Sequence, residues 1–143
     1  MTRDELQTFT QRFVQTWERG DERALAGCYA EDATLDSPMF QTVRGRERIE
    51  QSYRDLFRVF EKWRITVNDV IIDTTATPRV ALLTTSQLTH AGAVFGHPGS
   101  GRRITLRTVL IFRFDRGLIT SESRLYDFTG LLVQLGVLKA KGS

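Results

Sequence analysis

Cysteine occurs once in the 143 residues, at Cys28, which excludes an internal disulfide framework. The two histidines, His90 and His97, cannot complete a Cys/His zinc site with one thiol, and no carboxylate cluster stands in for them. Neither a metal nor a cofactor is expected. Long apolar runs are also missing. The stretch Val109 to Phe112 is typical in length and falls far short of the ~18 residues that span a bilayer. The opening Met1 to Gln7 has no apolar signal-peptide core, so a cytoplasmic protein without a membrane partner is expected. Twenty Lys and Arg against 17 Asp and Glu give a net charge of +3, and no block of like charge gathers them. Nucleic acid is therefore not an expected partner either.

What is present is 41% hydrophobic residues in a length suited to one core, predicting one domain over 1–138 and a flexible tail at 139–143. Leu6, Phe9, Phe13, Val14 and Trp17 recur at helical spacing, and Gly20 is placed to end that helix in a left-handed cap. Asp21 caps a short second helix carrying Leu25, Cys28 and Tyr29, and Ala33 to Ser37 reads as a strand stopped by Pro38. A third helix after Gly45 carries Ile49, Tyr53, Leu56, Phe57 and Phe60. From Trp63 the period changes to two. Further strands begin near Arg79, Arg102 and Leu118, with a hairpin turn at Asp115-Arg116-Gly117. A last short helix around Leu131 to Leu135 ends at Gly136.

Helices followed by a run of strands predict an α+β fold, a cone in which N-terminal helices pack on a curved antiparallel sheet around an apolar pocket. The strand from Arg102 to Phe114 shows its two faces. Ile104, Leu106, Thr108, Leu110, Phe112 and Phe114 should point to core and pocket. Val109 and Ile111 share the other face with Arg103, Arg107 and Arg113, a mixture suited to a sheet-to-sheet contact in a homodimer.

The run Thr89-His90-Ala91-Gly92, followed by Gly96-His97-Pro98-Gly99-Ser100-Gly101-Arg102, resembles the SnoaL-like polyketide cyclase family. The closing segment from Tyr126-Asp127 through Gly130-Leu131-Leu132 to Gln134-Leu135-Gly136 is similar to that family's C-terminus. Trp17, Gly20-Asp21 and Tyr29-Ala30-Glu31-Asp32-Ala33 resemble the start of the wider nuclear transport factor 2-like superfamily. The resemblance implies a cone-shaped α+β barrel, a deep apolar pocket and a homodimer. It also implies one of several activities, because such folds serve cyclases, isomerases, hydrolases and proteins without catalysis.

The catalytic positions of those relatives are filled unusually. The resemblance places the base, tyrosine and protonated acid of ketosteroid isomerases at Ser37, Phe13 and Leu110. The acid and histidine of the cyclases fall on Arg124 and Leu110. None of these side chains can carry that chemistry. Glu122, Arg124 and Tyr126 share a strand face, so a carboxylate and a guanidinium can pair there and orient a ligand oxygen. Asp127 follows on the opposite face, as a base in an altered register or as a cap of the last helix. Asp36 would become a candidate base if the register at Ser37 shifted by one, and His90 is a candidate proton carrier. The expected catalytic set is Arg124, Glu122, Asp127 and His90, and the expected ligand wall is Phe13, Trp17, Ser37, Tyr53, Phe57, Leu110, Phe112 and Tyr126. The reading that follows is a cofactor-independent cyclase acting on an apolar small molecule by cycloaddition or aldol chemistry. Its alternatives are a non-catalytic binding protein, or an isomerase or hydrolase using Asp127 or Asp36.

Overall fold

A computed structural model describes residues 1–139, so nearly all of the expected tail at 139–143 lies outside the described residues. Helix α1 (Arg3–Glu18) starts at a reciprocal cap in which Glu5 N donates to Thr2 Oγ1 and Thr2 N to Glu5 Oε1. It buries Leu6, Thr10, Phe13, Val14 and Trp17, the stripe that the spacing predicts. Gly20, at φ +65°, turns the chain into α2 (Glu22–Ala26), where Ala24 N donates to Asp21. Strand β1 (Tyr29–Ser37) begins four residues before its predicted start, because α2 ends at Ala26 and releases Tyr29 into extended backbone.

Strand β2 (Gln41–Arg44), which the sequence reading does not contain, pairs antiparallel with β1. Helix α3 (Arg46–Val59) buries Ile49, Ser52, Tyr53 and Leu56. Then come β3 (Phe60–Asp73), β4 (Arg79–His90), β5 (Arg103–Asp115), β6 (Leu118–Tyr126) and α4 (Phe128–Leu135), which stops at Gly136 in the left-handed conformation. The β5–β6 turn carries Arg116 and Gly117 at φ 51° and 79°, two successive left-handed residues as a tight hairpin requires.

The six strands run in the order β2-β1-β6-β5-β4-β3. Two features correct the sequence reading. The sheet is mixed, because β1 lies parallel to β6; it is also unclosed, because β2 and β3 form its two edges. A short hairpin cannot join parallel neighbours, and here the chain passes through β2, α3 and three long strands before β6 returns beside β1. Strand β3 has register shifts between Glu61 and Arg64 and between Val67 and Asp69. Such bulges bend a strand, and here they help wrap the sheet round the helices.

On β5 the even positions face inward as expected, with Ile104, Leu110, Phe112 and Phe114 buried. The loop after β4 is held by close backbone approach. A Cβ on Gly92 would lie 2.3 Å from the Arg58 carbonyl oxygen, and one on Gly99 would lie 1.9 Å from that of Ala91. At the tip, Val94 pairs with His97.

Candidate ligand pocket

The concave side of the sheet, roofed by α1, α3 and α4, leaves a cavity of about 60 Å³ as swept by the centre of a water molecule. Its wall is mostly apolar. Phe13, Val14 and Trp17 come from α1, Leu56 from α3, Trp63 and Ile65 from β3, and Leu82 and Leu88 from β4. Ser37, Thr84, Ser86 and Thr108 interrupt this surface, and among the described residues Arg124 is the one charged side chain on it.

Arg124 sits on the inner face of β6, 6% exposed, directly across from Leu110. Its Nε donates to Glu122 Oε2 at 2.5 Å, and its Nη2 donates to the Tyr53 hydroxyl at 2.6 Å. The Tyr53 and Tyr29 hydroxyls lie 2.6 Å apart, and the Tyr29 hydroxyl donates to Glu122 Oε1. Because Tyr29 gives its only proton to the carboxylate, Tyr53 must donate to Tyr29. Arg124, Tyr53, Tyr29 and Glu122 thus form a closed hydrogen-bond ring. The aromatic rings of Trp17 and Tyr53 lie against the guanidinium, 4.8 and 5.0 Å from its carbon to the ring centres.

The protonation states of Arg124, Tyr29 and Tyr53 are held by burial and by their neighbours. Burial lowers the affinity of the guanidinium for its proton, but Glu122 and the two tyrosines more than offset this and hold Arg124 charged. Burial first, and then the Glu122 carboxylate, push Tyr29 well above the ordinary phenol range; Tyr53 is raised chiefly by burial. The ring is a rigid support for one charged group. It offers no free acid or base.

A SnoaL-like domain model matches residues 10–122. The chain belongs to the SnoaL-like family. None of the curated proteins matches it. Among solved structures, this SnoaL-like chain is similar to TsrD from Streptomyces laurentii at 25% identity and TM-score 0.81, over 96% of this chain and 99% of that one. AclR, a candidate hydroxylase from Streptomyces galilaeus, is 22% identical with TM-score 0.83 over 97% and 85% of the two chains. A candidate polyketide cyclase from Xanthomonas campestris pv. campestris is 19% identical with TM-score 0.78 over 93% and 98%. These likenesses show the α+β, nuclear transport factor 2-like fold.

The SnoaL-like chain distributes its candidate residues as follows. Phe13, Trp17, Ser37, Leu110, Arg124 and Tyr126 line the cavity. Tyr53, Phe57 and Phe112 do not. Tyr53 is turned to the hydrogen-bond ring, Phe57 packs on Trp17 and Trp63, and Phe112 is closed off by Phe9 and Phe13. Glu122 stands behind Arg124, 1% exposed and off the wall. Asp127 is the cap of α4, accepting from Gly130 N at 2.8 Å, and Asp36 is exposed and accepts from Thr42 Oγ1 at 2.5 Å. His90 is fully buried outside the wall, with Nδ1 2.9 Å from Ser100 Oγ in the glycine-rich loop. No residue of that loop lines the cavity. Tyr29 is the residue of the site that the sequence reading misses.

The tyrosines make alkaline stability testable. Unfolded tyrosine titrates near pH 10 whereas Tyr29 and Tyr53 are raised in the fold, so below that pH both states keep their protons and stability is unaffected. Above it the unfolded chain ionises first. Stability should then fall by roughly 1.4 kcal/mol per pH unit for each of the two residues. Phenolate absorbance and circular dichroism should therefore change together in an alkaline titration. Tyr126, the third tyrosine, stands outside the ring, so more than one phenolate appearing near pH 10 with the dichroism intact would contradict the buried ring.

Proposed function

We propose that this chain is a cofactor-independent cyclase, working in the cytoplasm on a polyketide-like or polycyclic small molecule and closing its ring by cycloaddition or aldol chemistry. One observation carries the reading: among the described residues, the cavity wall holds no Asp, Glu, His, Lys or Cys side chain. A cycloaddition exchanges π bonds for ring bonds and moves no proton, so it needs a shaped apolar container more than a base; an aldol closure would pass its α proton to water and take one back on the new alkoxide oxygen. Holding the reacting ends of one chain together can supply several kcal/mol of the barrier, on the order of 7 in favourable cases. Arg124 adds a fixed donor for a carbonyl or enol oxygen on which charge develops.

The test is turnover of polyene or poly-β-keto model substrates, with product followed by chromatography. Asp127→Asn keeps a capping side chain and His90→Ala removes the imidazole; each should leave turnover within about threefold, whereas loss of a general base costs ~10²-fold or more. A near-complete loss in folded Asp127→Asn would restore the isomerase or hydrolase alternative. The same wall favours a second reading, a small-molecule binding protein without catalysis; binding with no product from any such substrate would establish it.

A homodimer belongs to this proposal. On the outer sheet face the register sets Ile71, Ala81 and Ile111 in one row and Leu83, Val109 and Leu125 in the next. Ile71 is 57% and Leu125 58% exposed in the single chain, with exposed Arg103, Arg107 and Arg113 at the rim. Light scattering should give a dimer mass for the wild type and a monomer mass for a folded Val109→Arg, Leu125→Arg variant. A wild-type monomer at micromolar concentration would rule the interface out.

A further inference from the structure

We infer that the cavity selects neutral oxygen acceptors, such as a ketone, ester or lactone carbonyl, and discriminates against carboxylates, because Glu122 has already neutralised Arg124, the one cation that the described residues place in the wall. The inference rests on the reading of the cavity as a ligand site and adds the charge of the ligand to it.

The argument starts from Arg124, atom by atom. Nε and Nη2 are taken by Glu122 and Tyr53, while Nη1 has no partner among the described residues. Nη1 is nevertheless not sealed. The unpartnered side-chain nitrogens that are shut off from solvent are Trp17 Nε1 and His90 Nε2, and Arg124 Nη1 is not one of them. Since Arg124 is a wall residue, Nη1 is the edge that the guanidinium presents to the cavity. The unmet hydrogen-bonding capacity of the guanidinium is therefore that of a donor, and a guest must bring the acceptor.

Charge then decides what kind of acceptor. A bare arginine in an apolar pocket would attract a carboxylate, but Glu122 lies 2.5 Å from Arg124 Nε and is itself buried. The pair is neutral as a unit. A carboxylate guest would lose its hydration and meet a compensated cation, leaving one net negative charge among Phe13, Leu82 and Leu110. A neutral carbonyl loses far less on entering and still accepts the Nη1 hydrogen bond. Arg124 is thus a specificity-determining residue and Glu122 the positioning residue that sets its charge preference.

The experiment uses the full-length protein and three probes of one shape: tetralone, the parent hydrocarbon tetralin, and tetralin carboxylate. Affinities are measured by calorimetry near neutral pH. Tetralone should bind about tenfold or more tighter than either of the others, as one charge-assisted hydrogen bond allows. In Glu122→Gln the order of tetralone and the carboxylate should narrow or reverse, because the guanidinium is then uncompensated. Equal binding of tetralone and tetralin would overturn the role of Nη1, and preferred binding of the carboxylate by the wild type would overturn the charge selection, both leaving the ligand-site reading intact. Absence of binding by all three would overturn that reading and this inference with it. The wild-type comparison stands on its own if the variant fails to fold.

Discussion

Glu122→Gln is expected to cost ~3–5 kcal/mol of folding stability, the usual penalty for leaving one member of a buried ion pair uncompensated. At this chain length that corresponds to a fall in Tm of roughly 10 °C or more. The glutamine fills the same space and can still accept a hydrogen bond, so the loss isolates charge from volume. Arg124→Met should cost a similar amount, since it leaves the Glu122 carboxylate, 1% exposed, with only Tyr29 as a partner. The double variant Glu122→Leu, Arg124→Met should be less damaged than the sum of the singles, because it removes both charges and keeps apolar bulk. Urea unfolding of the four proteins measures this coupling. Single variants that each lose less than about 1 kcal/mol and simply add would mean that the pair behaves as a solvated one.

Phe13→Ala is expected to lose about 3–5 kcal/mol, as for other buried phenylalanines cut to alanine. The ring is 2% exposed and packs with its centre 5.0 Å from Phe112, 5.5 Å from Phe9 and 6.0 Å from Trp17. It differs from an ordinary core residue in being cavity wall as well. Its removal should therefore enlarge the ligand space while it lowers stability, so the folded variant should gain affinity for a guest wider than tetralin. A shifted urea midpoint with unchanged slope, together with that gain, is the expected pattern. A large stability loss with no change in guest preference would place Phe13 in the core alone.

The parts of this fold that a reader of the sequence can find are those held by local spacing. The stripe Leu6 to Trp17 and the stop at Gly20 need only the helical period and one left-handed residue. The alternation along β5 and the Arg116-Gly117 turn are equally local. Strand β2 escapes because Gln41-Thr42-Val43-Arg44 has one apolar residue and is paired through its backbone to β1. Tyr29 is misplaced because Leu25, Cys28 and Tyr29 fit a helical spacing, whereas the helix ends at Ala26. The polar end of the pocket is legible only in part. Two-residue spacing places Glu122 beside Arg124, but nothing in the order of residues shows that Tyr29 and Tyr53 complete the ring. Gly92 and Gly99 escape for a related reason, since their need for glycine comes from carbonyl oxygens of Arg58 and Ala91 pressed against them.

The parallel pairing of β1 with β6 also governs when the binding site can come into being. Tyr29 and Glu122 are 93 positions apart, and between them lie α3 and the whole β3-β4-β5 meander. Each hairpin of that meander can zip from its own turn, at a small loop-closure cost, as soon as its two strands have been synthesised. The first strand finds a hairpin partner, β2, along one edge only. It must stay unpaired along its β6 edge until β6 itself has been synthesised, and only then can Tyr29 reach the carboxylate that fixes Arg124. The polar end of the pocket therefore waits on the most distant strand pairing of the sheet. A chain truncated before β6 would lack both groups of the ion pair and also the strand that joins β1 and β2 to the rest of the sheet.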